Sequence, residues 1–186
     1  MKLNKLMFRE YDIRGIWNED ITEEISYYIG RAYATKLLSL KKNKMIVGYD
    51  NRLSSPIIEK NLVKGLTDGG VDVVRLGLVT TPMYYYAWDK LNIHCGIMIT
   101  ASHNPKEYNG FKMSYNGIHN CFGNEVAELY YIILNGIYSK GNGSITDANI
   151  KEDYIKMINS HINMGSNKLK VIYDCGNGTT SIVAKD

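Results

Sequence analysis

Apolar side chains at Ile21, Ile25, Ile29, Ala32 and Leu37 recur at helical spacing and predict a helix running to about Leu40. Asp20, with Glu23 three residues on, reads as the capping box that opens it. Tyr27, Tyr28 and Tyr33 beside the stripe read as packing residues. The pattern then shortens. Met45-Ile46-Val47 is an apolar run suited to a buried strand, and Ser55-Pro56 has the cap-and-proline form of a helix start. Ile58, Leu62 and Leu66 give that helix its inner face, and Gly69-Gly70 ends it. Val71–Leu76 predicts the next strand, Thr81-Pro82 opens a helix to about Leu91, and Cys95–Thr100 is a third strand around Ile97-Met98-Ile99. Further on, Asn116-Gly117 reads as a hairpin turn, and Gly123–Leu134 as a helix facing inward through Val126, Leu129, Tyr130 and Ile133. A helix over 150–163 and a strand over Leu169–Tyr173 complete the pattern.

Strands alternating with helices across short links predict crossover units on a mixed, largely parallel sheet, and so a three-layer α/β/α fold. Ligands of such sheets bind beyond the carboxyl ends of the strands. That rule puts the Asp50–Ser55 loop, the Thr80-Thr81 turn and the loop around Ser102 on one rim. The Gly-, Asn- and Ser-rich stretch Gly136–Asn149 is the candidate boundary, giving a first domain over 1–145 and a second over 146–186. One helix and one strand cannot bury a core alone, so the second piece reads as the opening of a similar domain, cut short.

Composition changes this picture little. With 22 basic and 19 acidic residues, net charge +3 and no basic cluster, nucleic acid is not an expected partner. Cys95, Cys121 and Cys175 match no metal spacing and read as reduced thiols. The first fifteen residues hold no signal-peptide core and no apolar run approaches transmembrane length, so a cytoplasmic protein with no membrane partner is expected.

Candidate chemistry concentrates in Gly96–Gly117, where the apolar strand stops at Thr100-Ala101-Ser102-His103-Asn104-Pro105 and Lys112 follows, around the two expected turns Asn109-Gly110 and Asn116-Gly117. This looks like a nucleophile presented at a strand's end. A serine hydrolase is the first alternative. Neighbouring side chains usually point apart, however, and the Gly-x-Ser-x-Gly elbow is absent. Gly176-Asn177-Gly178 lacks the lysine of a P-loop and the third glycine of a dinucleotide fingerprint, so a structural turn is the better reading.

The string Thr100–Pro105 with Asn109, Gly110 and Lys112 resembles the phosphoserine loop of the α-D-phosphohexomutases. Phe8–Gly15 resembles that family's N-terminal signature in its bacterial phosphomannomutase/phosphoglucomutase form. Gly48–Ser55 resembles a third segment, and Asp174 with Asn177-Gly178 the start of its second domain. The resemblance implies a four-domain enzyme that interconverts hexose 1-phosphate and hexose 6-phosphate through a phosphoserine and a hexose 1,6-bisphosphate intermediate. Ser102 would then be nucleophile and phosphoryl carrier, its phosphate oxygen one ligand of Mg²⁺. Arg14 would hold the phosphoryl group, Lys112 and His103 would handle charge and protons, and Tyr11 would face the phosphosugar. Asp50, Arg52 and Ser54, with Thr100, Asn104 and Asn109, would brace the loops. The family's Asp-x-Asp-x-Asp-Arg metal loop, its sugar-recognition loop and its last domain have no counterpart here. Domains II–IV are therefore expected to be missing in cis, and this chain alone is expected to show negligible mutase activity. A non-catalytic anion-binding module on the same fold is the other class to weigh.

Overall fold

The computed structural model describes residues 3–117, 119–163, 165–166 and 169–185. Six strands, β1 (Ile13–Ile16), β2 (Lys44–Tyr49), β3 (Asp72–Leu78), β4 (Gly96–Ile99), β5 (Tyr108–Ser114) and β6 (Ile145–Asp147), form one sheet in the order β1-β5-β4-β2-β3-β6. The pairs β4–β2, β2–β3 and β3–β6 are parallel, whereas β5 runs antiparallel to both β4 and β1. The helices are α1 (Glu23–Ser39), α2 (Ser55–Asp68), α3 (Thr81–Lys90), α4 (Asn124–Asn135) and α5 (Lys151–His161).

Strand alternation divides the interior into two apolar layers. Met45, Val47, Ile97 and Ile99 face one side, where Ile25, Ile29, Leu62, Leu66, Val126 and Leu129 bring in α1, α2 and α4. Ile46 and Met98 face the other, against Met83, Tyr84 and Ala87 of α3 and Ile150 at the start of α5. This is the expected three-layer, largely parallel arrangement. Helices α1 and α2 cross where both carry glycine. A Cβ on Gly30 would lie 2.3 Å from the Leu62 carbonyl oxygen, and one on Gly65 2.1 Å from that of Tyr27.

Several local expectations shift. The cap of α1 is Thr22, whose hydroxyl accepts from the Ile25 amide at 3.1 Å. Asp20 instead accepts from the Ile16 amide and the Asn4 side chain, bracing β1. The starts of α2 and α3 each sit one residue earlier than read, after Ser54 and Thr80. Strands β1, β5 and β6 were not expected. Asn109-Gly110 is no turn but lies inside β5, where a Cβ on Gly110 would meet the Ile13 carbonyl oxygen at 2.4 Å. Asn116-Gly117 is a bend that leaves β5, its Gly117 amide donating to the Ser114 hydroxyl. Strand β6 pairs with β3, and Asp147 accepts two bonds from Arg75, at 2.8 and 3.1 Å. Residues on both sides of position 145 therefore pack on the same sheet.

The strand expected over Leu169–Tyr173 is not formed. These residues pair with no described neighbour, and Leu169, Val171 and Ile172 are 83%, 71% and 90% exposed. An alternating apolar segment needs an edge to join and a layer to face. Neither adjoins it.

Candidate active site

The loops after the parallel strands β2, β3 and β4 open on one cleft of about 1260 Å³. Its lining includes Asp50–Ser54, Val79–Pro82, Thr100, Ser102–Asn104 and the turn Gly176–Thr180. The rim inferred from topology is therefore a real surface. Its shape at Ser102 has a second cause: the 100–107 segment is the connection of an antiparallel pair, β4 and β5.

Ser102 is exposed and takes a left-handed backbone, φ 55°, a region that non-glycine residues seldom occupy. The Thr100 hydroxyl accepts from its amide at 2.9 Å, and the Asn104 amide donates to the Ala101 carbonyl at 3.0 Å. The loop is thereby wound tight around its serine. Ser102 Oγ lies 3.3 Å from His103 Nδ1. The two neighbours do approach, contrary to the expectation that they point apart, because the left-handed residue turns its side chain back.

Arg52 holds the loop from beneath. Its guanidinium donates to four carbonyls, those of Ser102, Asn104, Pro105 and Tyr108, at 2.6 to 3.1 Å. Its Nε pairs with Asp50 at 3.2 Å, and Asp50 also accepts from the Arg52 amide and from the Ser55 hydroxyl. Asn109, fully buried in β5, donates to the hydroxyls of Ser54 and Ser55 at 2.8 and 3.0 Å. A guanidinium with this many fixed acceptors is a clamp, since its donors lie in a rigid plane.

Arg14 approaches from β1. Its Nε pairs with Asp12 at 2.7 Å, and Nη1 donates to the Asn104 side chain at 2.6 Å and more weakly to the Ala101 carbonyl at 3.4 Å. It touches the loop without lining the cleft. Lys112 pairs with Met98 in register, so it lies on the α3 side of the sheet, half-buried and outside the lining. Tyr11 is 68% exposed in the turn that the Arg9 amide closes onto the Asp12 carbonyl, also outside the cleft. Thus Ser102, His103, Thr100, Asn104, Asp50, Arg52 and Ser54 come together at the cleft, with Asn109 beneath them. Tyr11, Arg14 and Lys112 stand off it. Sequence reasoning missed Asn51, which reaches across to Asn177 and Thr179, although it lies inside the Gly48–Ser55 segment already singled out.

The residues present do not make a magnesium centre by themselves. Asp12 and Asp50 already accept from Arg14 and Arg52. Among the described residues no group of three or more His, Cys, Asp or Glu side chains could hold a metal ion. What the site offers chemically is one exposed hydroxyl on a loop whose carbonyls are tied back by an arginine, beside an imidazole and at the mouth of a cleft.

A profile for the phosphoglucomutase/phosphomannomutase alpha/beta/alpha domain I matches residues 5–136. Over 179 residues the chain is 42% identical to a phosphomannomutase/phosphoglucomutase of Pseudomonas syringae pv. tomato, spanning 96% of this chain and 38% of that protein. Against a phosphoglucomutase of Neisseria meningitidis serogroup B it is 39% identical over 174 residues, 92% of this chain and 37% of that one. A solved phosphoglucomutase/phosphomannomutase family protein from Burkholderia thailandensis superposes with a TM-score of 0.92 at 31% identity, covering 99% of this chain and 42% of that one. The chain thus spans about two-fifths of the length of the relatives it matches. It belongs to the phosphoglucomutase/phosphomannomutase family, and residues 5–136 are that family's domain I.

Proposed function

We propose that this chain supplies the phosphoserine-bearing part of a phosphohexomutase acting on mannose phosphates, glucose phosphates or both. In the first half-reaction a sugar hydroxyl attacks the phosphorus on Ser102. The P–Oγ bond breaks, a sugar P–O bond forms, the sugar hydroxyl gives up its proton, and Ser102 regains one. The resulting hexose 1,6-bisphosphate turns over in the cleft. Ser102 Oγ then attacks the other phosphorus, which restores the phosphoserine and releases the isomeric monophosphate.

The observation that carries this reading is Ser102 itself, exposed at the cleft in a left-handed backbone while Arg52 fixes four carbonyls of its loop. Phosphoryl transfer asks for positioning and charge more than for covalent assistance, and a rigid loop over an arginine supplies the first. In this reading His103, whose Nδ1 lies 3.3 Å from Oγ, exchanges the serine proton. Arg14 and Lys112 contribute positive charge from β1 and β5, and Tyr11 serves the bound sugar when the remaining domains close over the cleft. The reading includes Mg²⁺, with a Ser102 phosphate oxygen as one ligand and the others outside these residues. It also includes a cytoplasmic setting.

The test uses a polypeptide in which this sequence continues to its relatives' length, incubated with hexose 1,6-bisphosphate and analysed by intact mass and peptide mapping. One phosphoryl group on Ser102, absent in Ser102→Ala, is expected. No phosphate at Ser102 would turn the assignment to an anion-binding module. Covalent capture of Ser102 by a fluorophosphonate, without mutase activity, would turn it to a hydrolase.

A further inference from the structure

Three hydrogen bonds join the 50–55 loop to the turn on the opposite side of the cleft. The Asn51 amide donates to Thr179 Oγ1 at 3.1 Å, Thr179 Oγ1 donates back to Asn51 Oδ1 at 2.9 Å, and Asn51 Nδ2 donates to the Asn177 carbonyl at 2.6 Å. The Thr179 hydroxyl is used twice, and both ends of the Asn51 amide group are engaged. Such reciprocal contact fixes the orientation of both partners, where a single exposed bond would leave each free to rotate. The turn is shaped to make it. Gly176 and Asn177 are both left-handed, φ 55° and 57°, and the Gly178 amide donates to the Cys175 carbonyl at 2.7 Å.

Asn51 stands between Asp50 and Arg52, the ion pair that clamps the nucleophile loop. The Arg52 amide donates to Asp50 Oδ1 at 3.1 Å, and its guanidinium holds the four carbonyls over Ser102–Tyr108. A continuous path therefore runs from Thr179 through Asn51 and Arg52 to the backbone of Ser102. Covalent bonds carry its middle, and no link exceeds hydrogen-bond length.

We propose that Asn51 and Thr179 are positioning residues for Ser102: the seat of the 176–180 turn on Asn51 sets how tightly Arg52 holds the nucleophile loop. With the clasp made, the loop is fixed for transfer. With it released, the cleft opens on that side and the loop loosens, as exchange or turning of a bound bisphosphate requires. The catalytic meaning rests on the phosphohexomutase reading, whereas the mechanical coupling does not.

Thr179→Val tests the coupling from the far side of the cleft, with side-chain shape preserved and no change in the 50–55 loop. Amide hydrogen exchange of this chain is followed residue by residue by NMR. The expected result is exchange about tenfold faster at Asn51, Arg52, Ser102 and Asn104, with the Ile29 and Ile46 amides unchanged. Thr179→Ser keeps the hydroxyl and restores wild-type rates. Faster exchange confined to Asn51 and the 176–180 turn would overturn the proposal, because the clasp would then merely anchor a turn. So would a uniform acceleration that includes Ile29 and Ile46. In the polypeptide extended to its relatives' length, phosphoryl uptake from hexose 1,6-bisphosphate by Thr179→Val should slow several-fold at an unchanged half-saturating concentration. If the extended wild type takes up no phosphoryl group, the phosphohexomutase reading fails and the exchange measurement still decides the coupling.

Discussion

The two walls of the cleft differ in how they are held. On the sheet side, Asp50, Ser54, Ser55, Thr100 and Asn109 are all at most 8% exposed. Their polar atoms meet one another: Asn109 to both serines, Ser55 to Asp50, Asp50 to Arg52. Across the cleft, the Gly176–Thr180 turn meets Asn51 through exposed hydrogen bonds, and Ile182 and Val183 just past it pack on the α3 layer. Water can replace a lost bond in the exposed clasp. In the buried network nothing can, so each deletion leaves a desolvated partner. The same bond chemistry therefore builds a fixed template on one wall and an exchangeable latch on the other.

Breaking the template should have the largest effect. Asn109→Ala removes two donated bonds to buried hydroxyls and the acceptor for the Gly110 amide. The expected loss is about 2–4 kcal/mol of unfolding free energy, read from urea denaturation at constant m. A loss under about 0.5 kcal/mol would mean that the buried network contributes no more than surface contacts do, and the contrast between the walls would collapse.

Glu59 on α2 sharpens the comparison from the opposite case, burial without a full set of partners. Its Oε1 is buried and has no hydrogen-bond partner among the described residues. Burial pushes the carboxyl up from 4.5 to about 7; Arg75 opposes the shift and Asp147 adds to it. The folded state thus binds the proton more tightly than the unfolded chain. Stability attributable to this group is fully present below about pH 4.5 and falls as pH rises to about 7. The fall is on the order of 2–3 kcal/mol. In Glu59→Gln the drop across that window should vanish, and the wild-type minus variant difference isolates it from the other acids. A parallel pair of stability–pH curves would show that Glu59 is paired or hydrated after all.

How much of this was readable beforehand depended on which contacts are local. Strands β2 and β4 carry unbroken apolar runs, β3 carries one interrupted by Arg75, and α1, α2 and α4 carry helical stripes, so periodicity found them. Strands β1 and β5 hide because their pairing is nonlocal. Arg14 and Gly15 break any apolar pattern in β1, and Asn109-Gly110 has the composition of a turn. Only in the sheet does Asn109 cap two serines while Gly110 admits the Ile13 carbonyl. Strand β6 is three exposed residues secured by Asp147 on Arg75, a pair 72 positions apart. At the site, Ser102, Arg52 and Asp50 were legible as a motif. The clamp geometry of Arg52 was not, since four of its acceptors are backbone carbonyls that carry no side-chain signature. Asn51 was invisible for a different reason: its partners lie more than 120 positions away.

The smallest expected effect belongs to the latch. Thr179→Val deletes a hydroxyl that makes two of the three clasp bonds, as many side-chain bonds as Asn109→Ala takes from the serines. If bond count governed stability, the two variants would be equally damaging. Exposure argues otherwise: Asn51 is exposed and Thr179 only half-buried, so water takes up the freed amide and the Asn51 oxygen. The change in unfolding free energy should stay within about 0.5 kcal/mol. Urea denaturation of Thr179→Val beside Asn109→Ala, under one buffer, measures the contrast directly. A loss of 2 kcal/mol or more for Thr179→Val, on the scale of a buried deletion, would show that the turn is built into the sheet wall's stability and is no exchangeable latch. With global stability unchanged, any loosening at Ser102 must come through the clasp and cannot be a by-product of unfolding.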